Sequence, residues 1–233
     1  MGTGLPGLRV SRRAASHQGL TAIDGRIKLT SDVLRARKVA EGNSLPRRST
    51  RNAIFQAAME QFIERGFSAC SVEDITRAAG VPKGSFYNHF KSKQSLAAEI
   101  VTEYGNGTTD RSVLSNAAIA PLNRLKKHFA ALNEHFSCCN DGCLVGKFMA
   151  EVSVDTPQIR ESLRQVLNLW GEQLSSALAE GQRQGSIRKD VPAADLAAFL
   201  IDSYEGAILR TRVERKSRAL ECFVKIVFSS ITT

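Results

Sequence analysis

The amino-acid sequence predicts an all-α fold, an N-terminal three-helix unit containing a helix-turn-helix followed by a longer helical domain. Three observations carry that prediction. Apolar residues recur at intervals of three and four along most of the chain beyond residue 50. Glycine, proline and hydroxyl residues fall where those runs begin and end. No stretch alternates convincingly as a strand would, and there is no internal repeat.

Residues 1–46 contain much Gly, Ser, Thr and Arg and few large apolar residues in helical register. They read as a basic, disordered arm, with an over-extended start as the alternative. Over residues 50–65, Ile54, Ala58 and Phe62 fall four apart, with Phe55 and Met59 alongside, and Gly66 closes the helix. The next helix spans 71–79. Ser71 is placed to cap it, Asp74 to complete a capping box, and Gly80 to end it in a left-handed conformation. Pro82 suits the first turn of a helix over 82–89. Val72, Ile75, Ala79, Val81 and Phe86 are spaced to pack these two helices together. A fourth helix starts near Ser92 and runs through Leu96, Ile100 and Tyr104, where Gly105-Asn106-Gly107 stops or loosens it.

The remainder continues in helices. Leu122, Leu125, Phe129, Leu132 and Phe136 mark one over 121–136, and a short apolar segment follows over 143–154. Thr156-Pro157 opens a long helix through Leu163, Trp170 and Leu178 to Gly185. After Val191-Pro192, helices over 193–213 and 217–231 complete the chain. The domains are therefore the arm at 1–46, a helix-turn-helix unit at 47–92 and a helical domain at 93–233.

The helix over 82–89 displays Lys83, Ser85, Tyr87, Asn88 and His89, donors suited to phosphates and base edges, so duplex DNA is the expected partner. Charge agrees. The net charge is +5 over residues 1–46, +4 over 47–93 and zero over 94–233. All the excess positive charge lies at or before the helix-turn-helix, where it favours phosphate contact through counterion release. Other classes lack support. Five cysteines, an odd number without paired C-x-x-C spacing, argue against a zinc site or disulfide framework and fit a reducing cytosol. No apolar run reaches the roughly 20 residues of a membrane span. No nucleophile-elbow, zinc-protease or phosphate-loop motif appears, so no enzyme activity, metal or cofactor is expected.

Between Arg51 and Leu96 the motifs A-x-x-x-F-x-x-x-G-F (Ala58 to Phe67), S-V-x-D-I (Ser71 to Ile75), A-G-V-x-K-G-S-F-Y-x-H-F (Ala79 to Phe90) and K-x-x-L (Lys93 to Leu96) follow in order. This run resembles the TetR family of transcriptional regulators. Beyond Asn106 the resemblance is only in helix pattern and length. It implies that Lys83, Gly84 and Ser85 face base edges, and that Tyr87, Asn88 and His89 hold phosphates and the groove wall. It also implies that Lys93 and Ser71 each reach a phosphate. The last two long helices resemble the pair through which such proteins form homodimers. Two recognition helices roughly 34–36 Å apart would then read a near-palindromic operator. A small-molecule effector would change that spacing by tilting the fourth helix.

The effector cavity is expected among Phe129, Phe136, Phe148, Met149, Trp170 and Tyr204, most of which also read simply as core. Trp170 and Tyr204 stand out because each joins a polar handle to apolar bulk. Gly142-Cys143-Leu144-Val145-Gly146 resembles a G-C-L-x-G stretch in a subset of TetR-like regulators, some responsive to electrophiles or oxidants. A sensing thiol needs a lowered pKa, for which Cys143 would have a helix start and Lys147 one turn on. The plain alternative is a small apolar residue at a helix start, and Cys138 or Cys139 would be resolving partners under the redox reading. A helical enzyme or carrier, and an architectural DNA binder without effector, are the competing classes. The expectation is a cytoplasmic, effector-responsive repressor.

Overall fold

The computed structural model describes residues 49–107, 110–137 and 142–233. The arm at 1–46, Cys138 and Cys139 lie outside the described residues. Nine α-helices and one 3₁₀ turn make up the described chain, with no strand among these residues.

The head comprises α1 (Thr50–Arg65), α2 (Val72–Ala78) and α3 (Gly84–Tyr87). Ser49 caps α1 by accepting from Asn52 N–H at 3.3 Å. The capping box on α2 forms as expected. Ser71 Oγ accepts from Asp74 N–H at 3.0 Å, and Asp74 Oδ2 accepts from Ser71 N–H at 3.0 Å. Gly80 follows with φ +68°, the left-handed region in which a side chain is strained. The recognition helix is shorter than the 82–89 span expected. Its α-helical part is one turn, and three-residue bonds flank it, from Ser85 N–H to Pro82 and from His89 N–H to Phe86. Lys83 supplies no side-chain cap that could extend it. Ile54, Phe62, Ile75 and Phe86 are fully buried beneath these helices.

The body comprises α4 (Lys93–Gly107), the 3₁₀ turn Ser112–Ser115, α5 (Pro121–Ser137), α6 (Leu144–Glu151), α7 (Pro157–Gln184), α8 (Ala193–Glu214) and α9 (Arg218–Ile231). Long α7 is its spine, packing against α4, α5 and α8, while α9 lies on α8. At Gly105 the sequence suggests a helix stop, whereas α4 continues through it to Gly107. A Cβ there would run into Val166 of α7, so glycine serves the close approach of the two helices. Gly185 ends α7 in the left-handed region, as expected. One continuous core joins head to body, bridged where Phe62 of α1 meets Phe148 of α6 edge-on at 5.6 Å.

Candidate nucleic-acid interface and the core behind it

The one-turn α3 lifts a cluster of donors out of the head. Phe86 and Phe90 point inward and pack at 5.6 Å, which turns the intervening residues outward. Lys83, Gly84, Tyr87, Asn88 and His89 are exposed and Ser85 is half-buried. Tyr87 is 59% exposed although its ring rests edge-on against Phe86 at 5.3 Å. A large aromatic ring left in water costs burial energy that an internal role would recover, so its placement suits an external surface. Lys83 is only loosely paired, its Nζ lying 3.7 Å from Glu73 with both side chains largely exposed. Such a pair contributes little and can be exchanged for a phosphate.

Two of the expected phosphate contacts are differently placed. Ser71 is exposed, but its hydroxyl already donates to Asp74 Oδ2 at 2.5 Å. That bond holds the Asp74 carboxyl below the usual carboxylate range. The Lys93 ammonium turns back into the head. It donates to the carbonyls of Phe67 at 2.9 Å and Cys70 at 2.7 Å, and lies 4.0 Å from the Phe67 ring centre. Partial burial lowers its pKa. Lys93 is thus a strut between α4 and the α1–α2 loop rather than a free phosphate ligand, because the nearby carbonyls satisfy its donors.

A second set of polar contacts fastens the body to the same loop. Glu151, the last residue of α6, accepts from Ser68 N–H at 2.7 Å and Phe67 N–H at 3.2 Å. One turn earlier, the buried Lys147 ammonium donates to the Ile63 carbonyl at the end of α1. Gly66 lies so close to the Glu151 carboxylate that a Cβ would collide with it. The start of α6 reaches the opposite environment. Cys143 precedes it, is 5% exposed, and contacts Glu205 of α8. Burial, reinforced by Glu205, pushes the Cys143 thiol well above its ordinary range, and the Val145 and Gly146 N–H groups oppose this only in part. The expected helix-start placement is present, but the expected thiolate activation is reversed. Desolvation and a neighbouring carboxyl outweigh the helix terminus, and Lys147 is committed to Ile63.

Behind Cys143 the aromatic residues fill the space expected to be a cavity. Phe129 meets Tyr204 and Phe223 at 5.2 Å each, and Trp170 meets Tyr204 at 6.4 Å. The Trp170 indole N–H donates to His128 Nε2 at 2.9 Å. His128, Tyr204 and Glu205 are buried, yet His128 Nδ1, the Tyr204 hydroxyl and Glu205 Oε2 have no hydrogen-bond partner among the described residues. Burial pulls the His128 pKa down to about 3, with Arg111 adding to the effect, and lifts that of Glu205 to about 7. Among the described residues no group of three His, Cys, Asp or Glu is arranged to hold a metal, and no helix is long and apolar enough to cross a membrane.

Residues 54–100 match the family described as bacterial regulatory proteins, tetR family, and residues 121–227 match the tetracyclin repressor-like C-terminal domain. The chain belongs to the TetR family. Among curated proteins it is 38% identical to the HTH-type transcriptional repressor DhaR of Mycobacterium sp., over 80% of this chain and 94% of the relative. It is 30% identical to the transcriptional regulator AcuR of Cereibacter sphaeroides, over 74% of this chain and 81% of that protein. Among solved structures, a regulatory protein TetR from Rhodobacter sphaeroides aligns with a TM-score of 0.70 at 28% identity, covering 78% of this chain and 99% of its own. The chain is a DNA-binding transcriptional regulator with the TetR fold.

Within the TetR frame, the structure leaves Lys83, Gly84, Tyr87, Asn88 and His89 exposed and Ser85 half-buried at the head, and buries Cys143, Trp170 and Tyr204 in the body. Sequence reasoning missed Arg111, His128, Glu151 and Glu205. His128 carried a usable signal, a histidine beside Phe129 on the apolar face of a strongly amphipathic helix. Glu205 likewise adjoins Tyr204 within an apolar stripe. Arg111 and Glu151 act across long sequence separations and carried none.

Proposed function

We propose that this chain is an effector-responsive repressor that binds a near-palindromic operator as a homodimer in the cytoplasm and performs no catalysis. The observation that carries the reading is the exposed donor set of Lys83, Tyr87, Asn88 and His89 on and beside α3, within a family whose relative DhaR is named a transcriptional repressor. Phe199 of α8 and Ile226 of α9 are 51% and 62% exposed, large apolar side chains on the two helices assigned to dimerisation. Pairing two bodies there would cover them and set the spacing of the two heads. An effector in the body would act by preferring an arrangement of α4 and α6 in which that spacing no longer fits successive major grooves.

The test is a gel shift of the purified protein on DNA upstream of its own gene, across a salt series, beside Tyr87→Ala. Salt-sensitive, sequence-selective binding that the variant loses is the expected result. Failure of selective binding there, followed by failure of random-site selection, would refute the proposal.

A further inference from the structure

The regulator reading leaves open what the body senses. Resting on that reading, we infer that the body holds a site for a small organic carboxylate, with Arg111 as its charge partner and His128 and Tyr204 as its hydrogen-bond donors. Arg111 precedes the 3₁₀ turn and directs its guanidinium inward. One nitrogen donates to the Gly105 carbonyl at 2.5 Å, and the group lies 5.5 Å from the Trp170 ring centre. Burial lowers its pKa, yet no carboxylate forms an ion pair with it among the described residues. The residue is half-buried, and a guanidinium turned partly away from water is stabilised by an anion beside it. A ligand carboxylate would provide one, and its two oxygens match the guanidinium fork.

The two donors are fixed by chemistry. An indole N–H can only donate, so the 2.9 Å bond from Trp170 requires a lone pair on His128 Nε2. The neutral ring must therefore carry its proton on Nδ1, the nitrogen left without an acceptor. Tyr204 is fully buried with its hydroxyl unpartnered, and burial pushes its ionisation upward, so it stays a phenol and a donor. Arg111 lies against the Trp170 ring, which in turn meets His128 at 5.9 Å and Tyr204 at 6.4 Å, so the three groups surround one tryptophan. A neutral carbonyl would satisfy the donors and leave the guanidinium unpaired. The close ring packing of Phe129, Trp170 and Tyr204 restricts the ligand to a few heavy atoms and makes Trp170 shift to admit it.

Trp170 is the sole tryptophan, so its fluorescence reports directly on this region. The full-length protein, without DNA, is titrated with acetate, propionate and butyrate and with the matching amides. The expected result is a saturable fluorescence change for at least one acid and none for its amide. Arg111→Gln should weaken that binding about tenfold or more, and Tyr204→Phe several-fold, each with an unchanged far-ultraviolet dichroism spectrum. If Arg111→Gln does not fold, Arg111→Lys and Tyr204→Phe carry the comparison. A protein that shifts DNA but responds to none of the acids overturns this inference and leaves the regulator reading standing. Equal binding of acid and amide, or binding indifferent to both variants, also overturns it. Carboxylate binding by a protein that selects no DNA, either upstream of its own gene or from random sites, supports the site and removes the repressor reading.

Discussion

The head and the body handle polar side chains in opposite ways. In the head, Ser71 and Asp74 satisfy one another within four residues, and the exposed donors on and beside α3 face water. In the body, His128, Tyr204 and Glu205 are buried without complete hydrogen bonding among the described residues. An exposed donor costs almost nothing until a phosphate replaces its water. A buried one imposes a standing penalty of about 1–3 kcal/mol, which persists only if something else compensates. The head is therefore a surface ready for its partner, whereas the body stores unfavourable free energy that a ligand can release. Helix α6 joins the two regimes, with Cys143 and Glu205 at its start and the Glu151 clamp on the α1–α2 loop at its end.

The sharpest way to break this comparison is to remove the stored penalty. Glu205 has an ordinary pKa of 4.5 when unfolded and about 7 when folded, so the folded state binds the extra proton between those values. Its contribution is present below pH 4.5 and is lost as pH rises through 7, a swing on the order of 3 kcal/mol. His128 works in reverse. Its folded pKa of about 3 lies below the ordinary 6.5, so stability is lost as pH falls through that window. The two slopes oppose one another between about pH 4.5 and 6.5. Glu205→Gln should raise stability at pH 8 relative to the parent. It should also expose the His128 slope, so that urea midpoints climb from pH 4.5 to 6.5. Parallel midpoint-versus-pH curves for variant and parent would show that no such penalty is stored at Glu205.

A smaller effect is expected at the junction. Glu151→Ala leaves the Phe67 and Ser68 N–H groups without their carboxylate and costs about 2 kcal/mol. The loss should be local as well as global, with faster amide exchange at Phe67 and Ser68 than the overall destabilisation explains. Exchange that tracks global unfolding alone would mean that the clamp does not hold the loop.

How far each region could be read from sequence follows the same division. In the head the signals are short-range. The Ser71–Asp74 box spans four residues, Gly80 marks its own turn, and α1 runs over the residues its periodicity indicates. The body's helices were equally legible, since Thr156-Pro157 and Gly185 bound α7 as expected. Its site was not. Trp170 meets His128 across 42 residues, and Glu151 reaches Phe67 across 84. No local pattern encodes those separations. Lys93 shows the converse difficulty, because the motif position that suggested a phosphate contact also lies within reach of two loop carbonyls.

The smallest expected change on stability falls at Lys83, and it separates recognition from folding most cleanly. Its side chain is 60% exposed and its one ion pair, to Glu73, is long. Lys83→Ala should therefore alter stability by no more than about 0.5 kcal/mol. If Lys83 meets a phosphate, DNA affinity should fall by a similar factor on all sequences, and the slope of log affinity against log salt should flatten by about one. If Lys83 instead reads a base edge, the loss should concentrate on the preferred sequence, with discrimination against its variants reduced. A head with full stability and an unchanged salt slope and sequence preference would place the contact surface elsewhere on the head, because a solvated lysine within the interface must release counterions or select a base.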